Sequence, residues 1–572
     1  MTKIREVFGC ILPICIILQT VLTYNYGWSE LLVGLLVLLT GASFLVGACS
    51  CFCGKMRLGL VDGLMFAWWM YMLLRAYFEP GVSCGREVIT YTALYLLYIV
   101  LRFSDVVLRL RERTFVWILL TAVIYELMLG ACQLYARTSH HALYPVTGSF
   151  FNPGPYSALI VMGMVMAIYL FNQQNNSRKL ERRVSGFVLV GGCLMLALTR
   201  SRSAMVVVAV MALYQYRVEL RRYWLLVLSF VVLVSTTLFW LKFESAMGRI
   251  VLWWQSVCIW MEHPIWGAGI GTFKEEYGFQ LETFFSSQSH IRNFSQYADA
   301  TDFAFCDVLQ LLAEQGMVGG IFCLSIISLS LRKLYREEQV SFFAFMALLV
   351  FSLFSYPFQL LPYQMLAVMF VARAARYGGS KRMPVWLRPL CLVCVGALAY
   401  CCYGIAKERV AGQQEYKQCA GLIHSSFVKD YYRLYPLCRD DKQFLFDFAK
   451  ILQANQRYLD SNAMLRDGIL VSNDPMFWVL MGNNYREMRL YDKAGACYDT
   501  AFRRMPNRIY PLYQKMLLFE EMGNNKAMLS VAKYITTFQE KVPSPAVDEM
   551  KSKARYLLYQ NINSNKNKLK LE

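Results

Sequence analysis

ELLVGLLVLLTGASFLVGACS, residues 30–50, carries one charged side chain, Glu30, and that lies at its edge. A helix of this length rises about 30 Å at 1.5 Å per residue, which matches the hydrocarbon thickness of a bilayer. Similar apolar blocks recur near 7–23, 58–78, 87–103, 115–134, 155–172, 184–199, 203–217, 223–241, 303–330, 340–357, 362–376 and 387–405. They amount to about thirteen candidate spans. Lys3 and Arg5 precede the first block, but no small-x-small cleavage site separates it from Tyr24 and Tyr26, so a retained span is expected rather than a signal peptide. With 57% of residues hydrophobic and 17% charged, the fold class is all-α: a polytopic membrane helix bundle followed by a soluble helical domain.

A formal charge of +19 would point to nucleic acid in a soluble protein. Here it reports sidedness, and no nucleic-acid partner is expected. Lys and Arg concentrate in alternate loops, among them Lys55/Arg57, Arg182/Arg183, Lys333/Arg336 and Lys381/Arg382. The positive-inside rule makes those loops cytoplasmic. An odd number of spans then puts the C-terminal domain outside, together with the 135–154 loop, the TRSRS turn at 199–203 and the 242–302 loop. A multi-pass protein of a bacterial inner membrane, with its C-terminal domain in the periplasm, is the expected placement. The 18 cysteines mostly fall inside or beside apolar blocks, as Cys193, Cys391, Cys394 and Cys401 do, and are read as small buried hydrophobes. Cys51 and Cys53 form a lone C-x-C without a second pair, so no metal site is expected.

The expected division is a membrane part over 1–405, with the large 242–302 loop inside it, a helical domain over 406–558 and a solvated tail over 559–572. In the domain, Trp478, Gly482, Tyr485, Ala494, Tyr498, Ala501 and Pro506 occupy tetratricopeptide-repeat positions. Ala449, Leu452, Ser461, Leu465 and Gly468 repeat the offsets one unit earlier, and 510–540 reads as a weaker third unit. Such a solenoid offers a concave face to a protein or peptide partner.

Three arginines on the outer side stand against the positive-inside trend: Arg200 and Arg202 in the tight turn, and Arg249 in GRIVLWWQSVCIWMEH (248–263). That stretch places Ile250, Trp253, Trp254, Val257 and Trp260 near a helical period, as an interfacial helix would. Guanidinium forks suit phosphate oxygens, so the three are candidates for holding a phosphorylated lipid head group. After the helix comes HPIWGAGIGTF (263–273), with Gly267, Gly269 and Gly271 at alternate positions. No strand precedes it, so a dinucleotide loop is excluded; a backbone needing positive φ or close approach is expected. Further on, Asp307, Gln310 and Glu314 in DVLQLLAEQGMVGG (307–320) share one helical face at the outer end of the tenth span.

Arg249, HPIWGAGIGTF and DVLQLLAEQGMVGG, in that order on an outward loop, resemble the O-antigen ligase and polymerase superfamily, which includes bacterial protein O-oligosaccharyltransferases. The resemblance covers about 145 to 330; GSFFNPGPYSALI (148–160) and TRSRSA (199–204) are similar more weakly. It implies a GT-C type transferase that moves a glycan from undecaprenyl diphosphate to an acceptor: lipid A core, growing polysaccharide or a protein hydroxyl. Membrane lipid is an implied partner, and neither nucleotide, metal nor other cofactor is implied. Arg200 or Arg202, with Arg249, would hold the diphosphate, with His263 and the three glycines lining the loop above it. The family's histidines before the acidic residue of the tenth span are missing; Phe303, Ala304, Phe305 and Cys306 stand there. His290, Asp299, Asp302 and Asp307 are nearby alternatives for a base, and Asp302, Asp307 and Glu314 are the catalytic candidates. The competing expectation is an altered or inactive member that acts as a membrane scaffold in surface-polysaccharide assembly. A transporter is disfavoured, since no paired broken spans occupy corresponding halves.

Overall fold

The structure, a computed structural model, describes residues 28–50, 57–78, 84–103, 111–139, 141, 144–172, 179–223, 225, 229, 236, 240, 243–379, 381–382, 384, 387–422, 424–541 and 544–569. The membrane part consists of helices α1 (Trp28–Ser50), α2 (Leu60–Phe78), α3 (Cys84–Phe103), α4 (Glu112–Ala136), α5 (Pro153–Asn172), α6 (Lys179–Thr199) and α7 (Arg202–Gln215). After the loop helices α8 (Phe243–Glu262) and α9 (Phe273–Phe284) it continues with α10 (Asp307–Glu337), α11 (Gln339–Ser352), α12 (Leu361–Arg376) and α13 (Leu387–Cys419). All the expected spans fall on described helices except 7–23 and 223–241, which lie wholly or mostly outside the described residues. By length and hydropathy alone, five described helices are able to cross a membrane: Glu112–Ala136, Pro153–Asn172, Lys179–Thr199, Asp307–Glu337 and Pro389–Cys419.

The centre of the bundle is α5, every residue of which from Tyr156 to Ala167 is buried. A helix apolar all round buries itself completely. It packs against α4, α6, α7 and α11. The described cysteines are free thiols, and Cys193, Cys394 and Cys401 are exposed on the outside of apolar helices, where the sequence reading had buried them.

The bundle has two unlike ends. At one, Arg57–Leu58 pairs antiparallel with Lys381–Arg382, so two of the basic linkers meet. Buried ion pairs Arg102–Asp62 (2.6 Å) and Arg373–Glu338 (2.8 Å) close the same end. At the other end the 199–203 turn meets α8 of the 242–302 loop, with Arg202 3.1 Å from Ser245 Oγ, and α9 of the same loop carries the C-terminal domain.

The tenth span is broken. Gly316 interrupts α10 with φ 63° and ψ −165°. In lipid, every backbone group freed by such a break needs a partner from the protein. The glycine turn supplies them: the N–H groups of Ala268 and Gly269 donate to the carbonyls of Ala313 (2.8 Å) and Glu314 (3.1 Å). In return Met317 and Val318 donate to Pro264 (2.9 Å) and Ile265 (3.2 Å). Two glycines allow this approach. A Cβ on Gly267 would collide with the Glu314–Gln315 peptide, and one on Gly316 with Ile265 and Gly267. Positive φ at Gly267 (77°), Gly269 (133°) and Gly271 (75°) agrees with the sequence reading. Tyr71 and Arg75 of α2 tie the splice to the bundle, through Gln315 O (2.8 Å) and Gly267 O (2.9 Å).

The C-terminal domain begins without a linker, since α13 runs unbroken through the expected boundary at 405/406. It continues as α14 (Val428–Cys438), the hairpins α15 (Lys442–Ala454)/α16 (Tyr458–Val471), α17 (Met476–Glu487)/α18 (Tyr491–Arg504) and α19 (Tyr510–Glu521)/α20 (Asn525–Thr537), and α21 (Pro545–Leu569). The helix α21 thus extends into the stretch read as a solvated tail. The repeat signature is met by packing: a Cβ on Gly482 would lie 2.6 Å from the Tyr498 ring, and Ala494, Tyr498 and Ala501 are fully buried.

The domain docks on the 242–302 loop through α9, which packs on α16 and α18. At the contact, the Arg504 guanidinium is wholly buried between Phe279 (4.8 Å) and Trp478 (5.2 Å), with a Glu282 carboxylate at 3.7 Å. Burial pulls Arg504 down to about 10, and Glu282 opposes that shift. Asn507 and Asn473 each donate at 2.7 Å to loop carbonyls, those of Ala298 and Thr301.

Two outcomes are expected. Gly316→Ala and Gly267→Ala each lose thermal stability in detergent, because left-handed φ alone costs a side-chain-bearing residue about 1–2 kcal/mol before any collision. Gly186→Ala, inside α6 with open space around it, does not lower the melting temperature. The second outcome concerns Glu275, which burial foremost, then Glu276, raise from 4.5 to about 7 beside Arg504. Between those values the docked state binds the extra proton, so docking weakens as pH rises from 4.5 through 7 and the loss is complete above it. Hydrogen-exchange protection over 273–284, taken relative to the intrinsic rate at each pH, is expected to be greater at pH 5.5 than at pH 8, and Glu275→Gln flattens the difference.

Candidate functional site

The TRSRS turn folds as its spacing demands. α6 ends at Thr199, Arg200 reverses the chain in the left-handed region (φ 52°), and α7 starts at Arg202. Arg200 stays exposed, whereas Arg202 is half-buried and donates to Ser245 Oγ (3.1 Å) at the head of α8. One turn further along α8, Arg249 donates Nη1–H to the Phe354 carbonyl (3.1 Å) and lies over the Phe305 ring at 5.7 Å. Burial and then the neighbouring charge of Arg202 hold the Arg249 guanidinium below its ordinary value, with Tyr144 opposing. Among the described residues no carboxylate pairs with Arg249. A second cation beside a partly buried one is costly unless an anion joins them.

The helix expected over 248–263 is present as α8 and is two-faced. Val251, Leu252, Gln255, Ser256 and Ile259 pack inward, while Ile250 and Trp254 are exposed. Apolar residues on both faces fit a helix lying between protein and lipid.

Where histidines were expected, two aromatic rings build a wall. Phe303 stacks on Tyr356 (4.6 Å, 14°), and Phe305, itself at φ 51°, meets the same ring edge-on at 5.0 Å. Asp307 follows and accepts from Phe358 N–H (3.0 Å) and the Gln359 amide (3.1 Å), which fixes the start of α10 to the α11–α12 connection. One turn on, Gln310 donates to Glu314 (3.1 Å), and Glu314 also accepts Gly271 N–H (3.2 Å). Asp307, Gln310 and Glu314 therefore do share a face. They stand at the polar end of a cavity of about 650 Å³ between α2, α3, α10, α11 and α12, whose remaining walls are apolar, as at Met65, Leu331 and Val371.

The other sequence candidates are spread out. Asp302 pairs with Lys442 of the C-terminal domain (2.8 Å). His263 is exposed at the far end of α8, where its carbonyl accepts Gly267 N–H (3.0 Å). Gly267 and Gly269 are taken up by the splice in α10, and Gly271 reaches Glu314. His290 stacks on Phe284 at 4.2 Å with Nδ1 2.8 Å from the Phe284 carbonyl, and Asp299 presents its carbonyl to Tyr277. Sequence reasoning missed Tyr144, an electrostatic neighbour of both Arg202 and Arg249. It also missed His141, whose ring packs edge-on against Tyr144 at 4.9 Å. Nothing in local pattern links a loop near 144 to a helix near 249; only the fold does.

Together these features define a helical membrane protein with a doubly cationic site and a helical-repeat domain docked on the 242–302 loop. Residues 186–324 match the family model Wzy_C, O-antigen ligase, and the chain carries an O-antigen ligase domain over those residues. The matched segment holds Arg200, Arg202, Arg249, the glycine turn, Asp302, Asp307 and Glu314, and excludes the 135–154 loop and the C-terminal domain. No curated protein matches the chain. Among solved structures, it is similar to the crystal structure of the APC/C hetero-tetramer Cut9-Hcn1, at 10% identity over 81% of this chain and 76% of that chain, with a TM-score of 0.22. A score that low does not bear on the fold. The family connects the protein to glycan transfer in polysaccharide assembly.

Proposed function

We propose that the protein transfers a glycan from undecaprenyl diphosphate to an acceptor hydroxyl at the outer face of a bacterial inner membrane. The observation that carries this reading is Arg249, half-buried beside Arg202, inside the ligase-like segment and next to the wall of Phe305. Two guanidiniums present planar donor forks to a diphosphate and offset the charge that grows on it as the glycosidic bond breaks. Arg249 holds the Phe354 carbonyl and Asp307 holds Phe358 four residues on, so the same α11–α12 connection borders the arginines and the apolar cavity, which suits a hydrocarbon chain whose head group sits at the arginines. The acceptor is lipid A core, a growing polysaccharide or a protein hydroxyl.

One observation favours a second reading. Phe303 and Phe305 are packed into the structure through Tyr356, and the nearby carboxylates of Asp302 and Asp307 are engaged in an ion pair and in backbone capping. A scaffold that binds the donor lipid without consuming it would keep those features.

Purified protein in lipid nanodiscs is expected to bind undecaprenyl diphosphate, and Arg249→Ala to weaken that binding at least about tenfold, as loss of a charge-assisted pair of about 1.5–3 kcal/mol requires. Arg249→Lys restores little, since it offers a point charge in place of a fork. Unchanged binding in Arg249→Ala removes that residue from the site. For sidedness, a reporter active only in the periplasm, fused after residue 420, is expected to be active; activity of a cytoplasmic reporter alone overturns the outward placement.

A further inference from the structure

Phe305 sits where a side chain is costly. Its φ of 51° falls in the left-handed region, which glycine enters freely and a bulky residue does not. A strained residue persists only where its surroundings over-determine it, and such positions cluster at sites that bind or react. Before Phe305, Thr301 Oγ1 donates to the Phe303 carbonyl (3.0 Å) and accepts Phe303 N–H (3.3 Å), and Ala304 N–H donates to Gln310 Oε1 (3.2 Å). After it, the Cys306 carbonyl accepts Gln310 N–H (3.1 Å), and the Asp307 carboxylate accepts from Phe358 and Gln359. These bonds hold the backbone on both sides, and the left-handed step at 305 turns the chain into α10.

The strained turn places a ring beside the arginine clamp. The Arg249 guanidinium lies 5.7 Å from the centre of the Phe305 ring, within cation–π range. Both rest on one short segment: the Phe354 carbonyl accepts Arg249 Nη1–H, and Tyr356, two residues on, meets Phe305 edge-on and stacks on Phe303. Tyr356 is buried, whereas Phe303 and Phe305 each keep part of their surface exposed. None of the three rings lines the apolar cavity, so this aromatic surface is separate from the space that suits a hydrocarbon chain.

We infer that Phe303 and Phe305 form a stacking platform for the sugar that the diphosphate carries, with Phe305 a specificity-determining residue for a pyranose. This rests on the glycan-transfer reading above. A pyranose is amphipathic: its hydroxyls ring the edge, while axial C–H groups leave a face apolar. Those hydrogens carry the slight positive charge that the negative face of an aromatic ring attracts. The anomeric carbon is one oxygen away from phosphorus, so a diphosphate gripped by Arg249 brings the sugar next to Phe305. Stacking there fixes the plane of the sugar, and with it the direction from which an acceptor hydroxyl reaches the anomeric carbon.

In the test, full-length protein in nanodiscs is titrated with undecaprenyl diphosphate and with the same lipid carrying glucose, galactose or N-acetylglucosamine. Wild type is expected to bind at least one glycosylated form about tenfold more tightly than the bare lipid, the effect of burying about two methylene-sized groups. Phe305→Leu is expected to abolish that preference and Phe305→Tyr to keep it. The ratio of the two affinities is the readout, because a displaced Arg249 weakens both forms alike and leaves the ratio unmoved. Phe303→Leu, at a residue outside the left-handed region, is expected to lower the ratio as well, and it decides the outcome where Phe305→Leu fails to fold. Either leucine variant that keeps the full preference overturns the platform, as does a Phe305→Tyr variant that loses it or a wild type that lacks it. Wild type that binds none of these lipids, bare or glycosylated, sinks the glycan-transfer reading itself.

Discussion

A helix broken inside a membrane leaves carbonyl and N–H groups that neither water nor lipid satisfies. The arrangement around Gly316 follows from that constraint. Residues 264–269 lie across the break and exchange hydrogen bonds with both halves of α10: their N–H groups donate to the half before Gly316, and their carbonyls accept from the half after it. Because each side of the splice passes too close for a Cβ, glycine at 267 and 316 is required together. The outer half of α10 is thereby freed to tilt Asp307, Gln310 and Glu314 to the head of the cavity.

That splice also decides where the outer loop goes. α8 enters it and α9 leaves it, so the helix that carries Arg249 and the helix that carries Phe279 are held at fixed positions on one platform. The C-terminal domain then rests on α9 through Arg504, and on the 298–301 backbone through Asn473 and Asn507. The face used for this contact belongs to α16 and α18, the second helices of their hairpins. Docking and site therefore draw on different residues of one loop, Phe279 and Glu282 on α9 for the first and Arg249 on α8 for the second.

Much of this was legible in the sequence, and the parts that were not share a cause. Apolar blocks marked the spans, alternate glycines marked positive φ, and Trp478, Gly482 and Tyr498 marked the repeat, because each is a local signal with a local physical origin. The start of the tenth span was placed at 303 instead of 307, since Phe303–Cys306 is as apolar as a helix but is used to pack on Tyr356. The three glycines looked like the lining of a substrate loop, and their backbone task became visible only with α10 beside them. His141 and Tyr144 gave no signal at all. Tyr144 bears on Arg249 electrostatically from more than a hundred positions away, which no periodicity encodes.

The unbroken run of α13 from Leu387 to Cys419 gives the molecule a phase relation between its two parts. A flexible linker tolerates a residue more or less, but a helix does not, because each added residue turns everything beyond it by about 100°. The azimuth at which the repeat domain meets the outer loop is therefore counted in residues along this rod. Changes in its length are confined to steps that restore the angle, even at positions where no side chain touches anything.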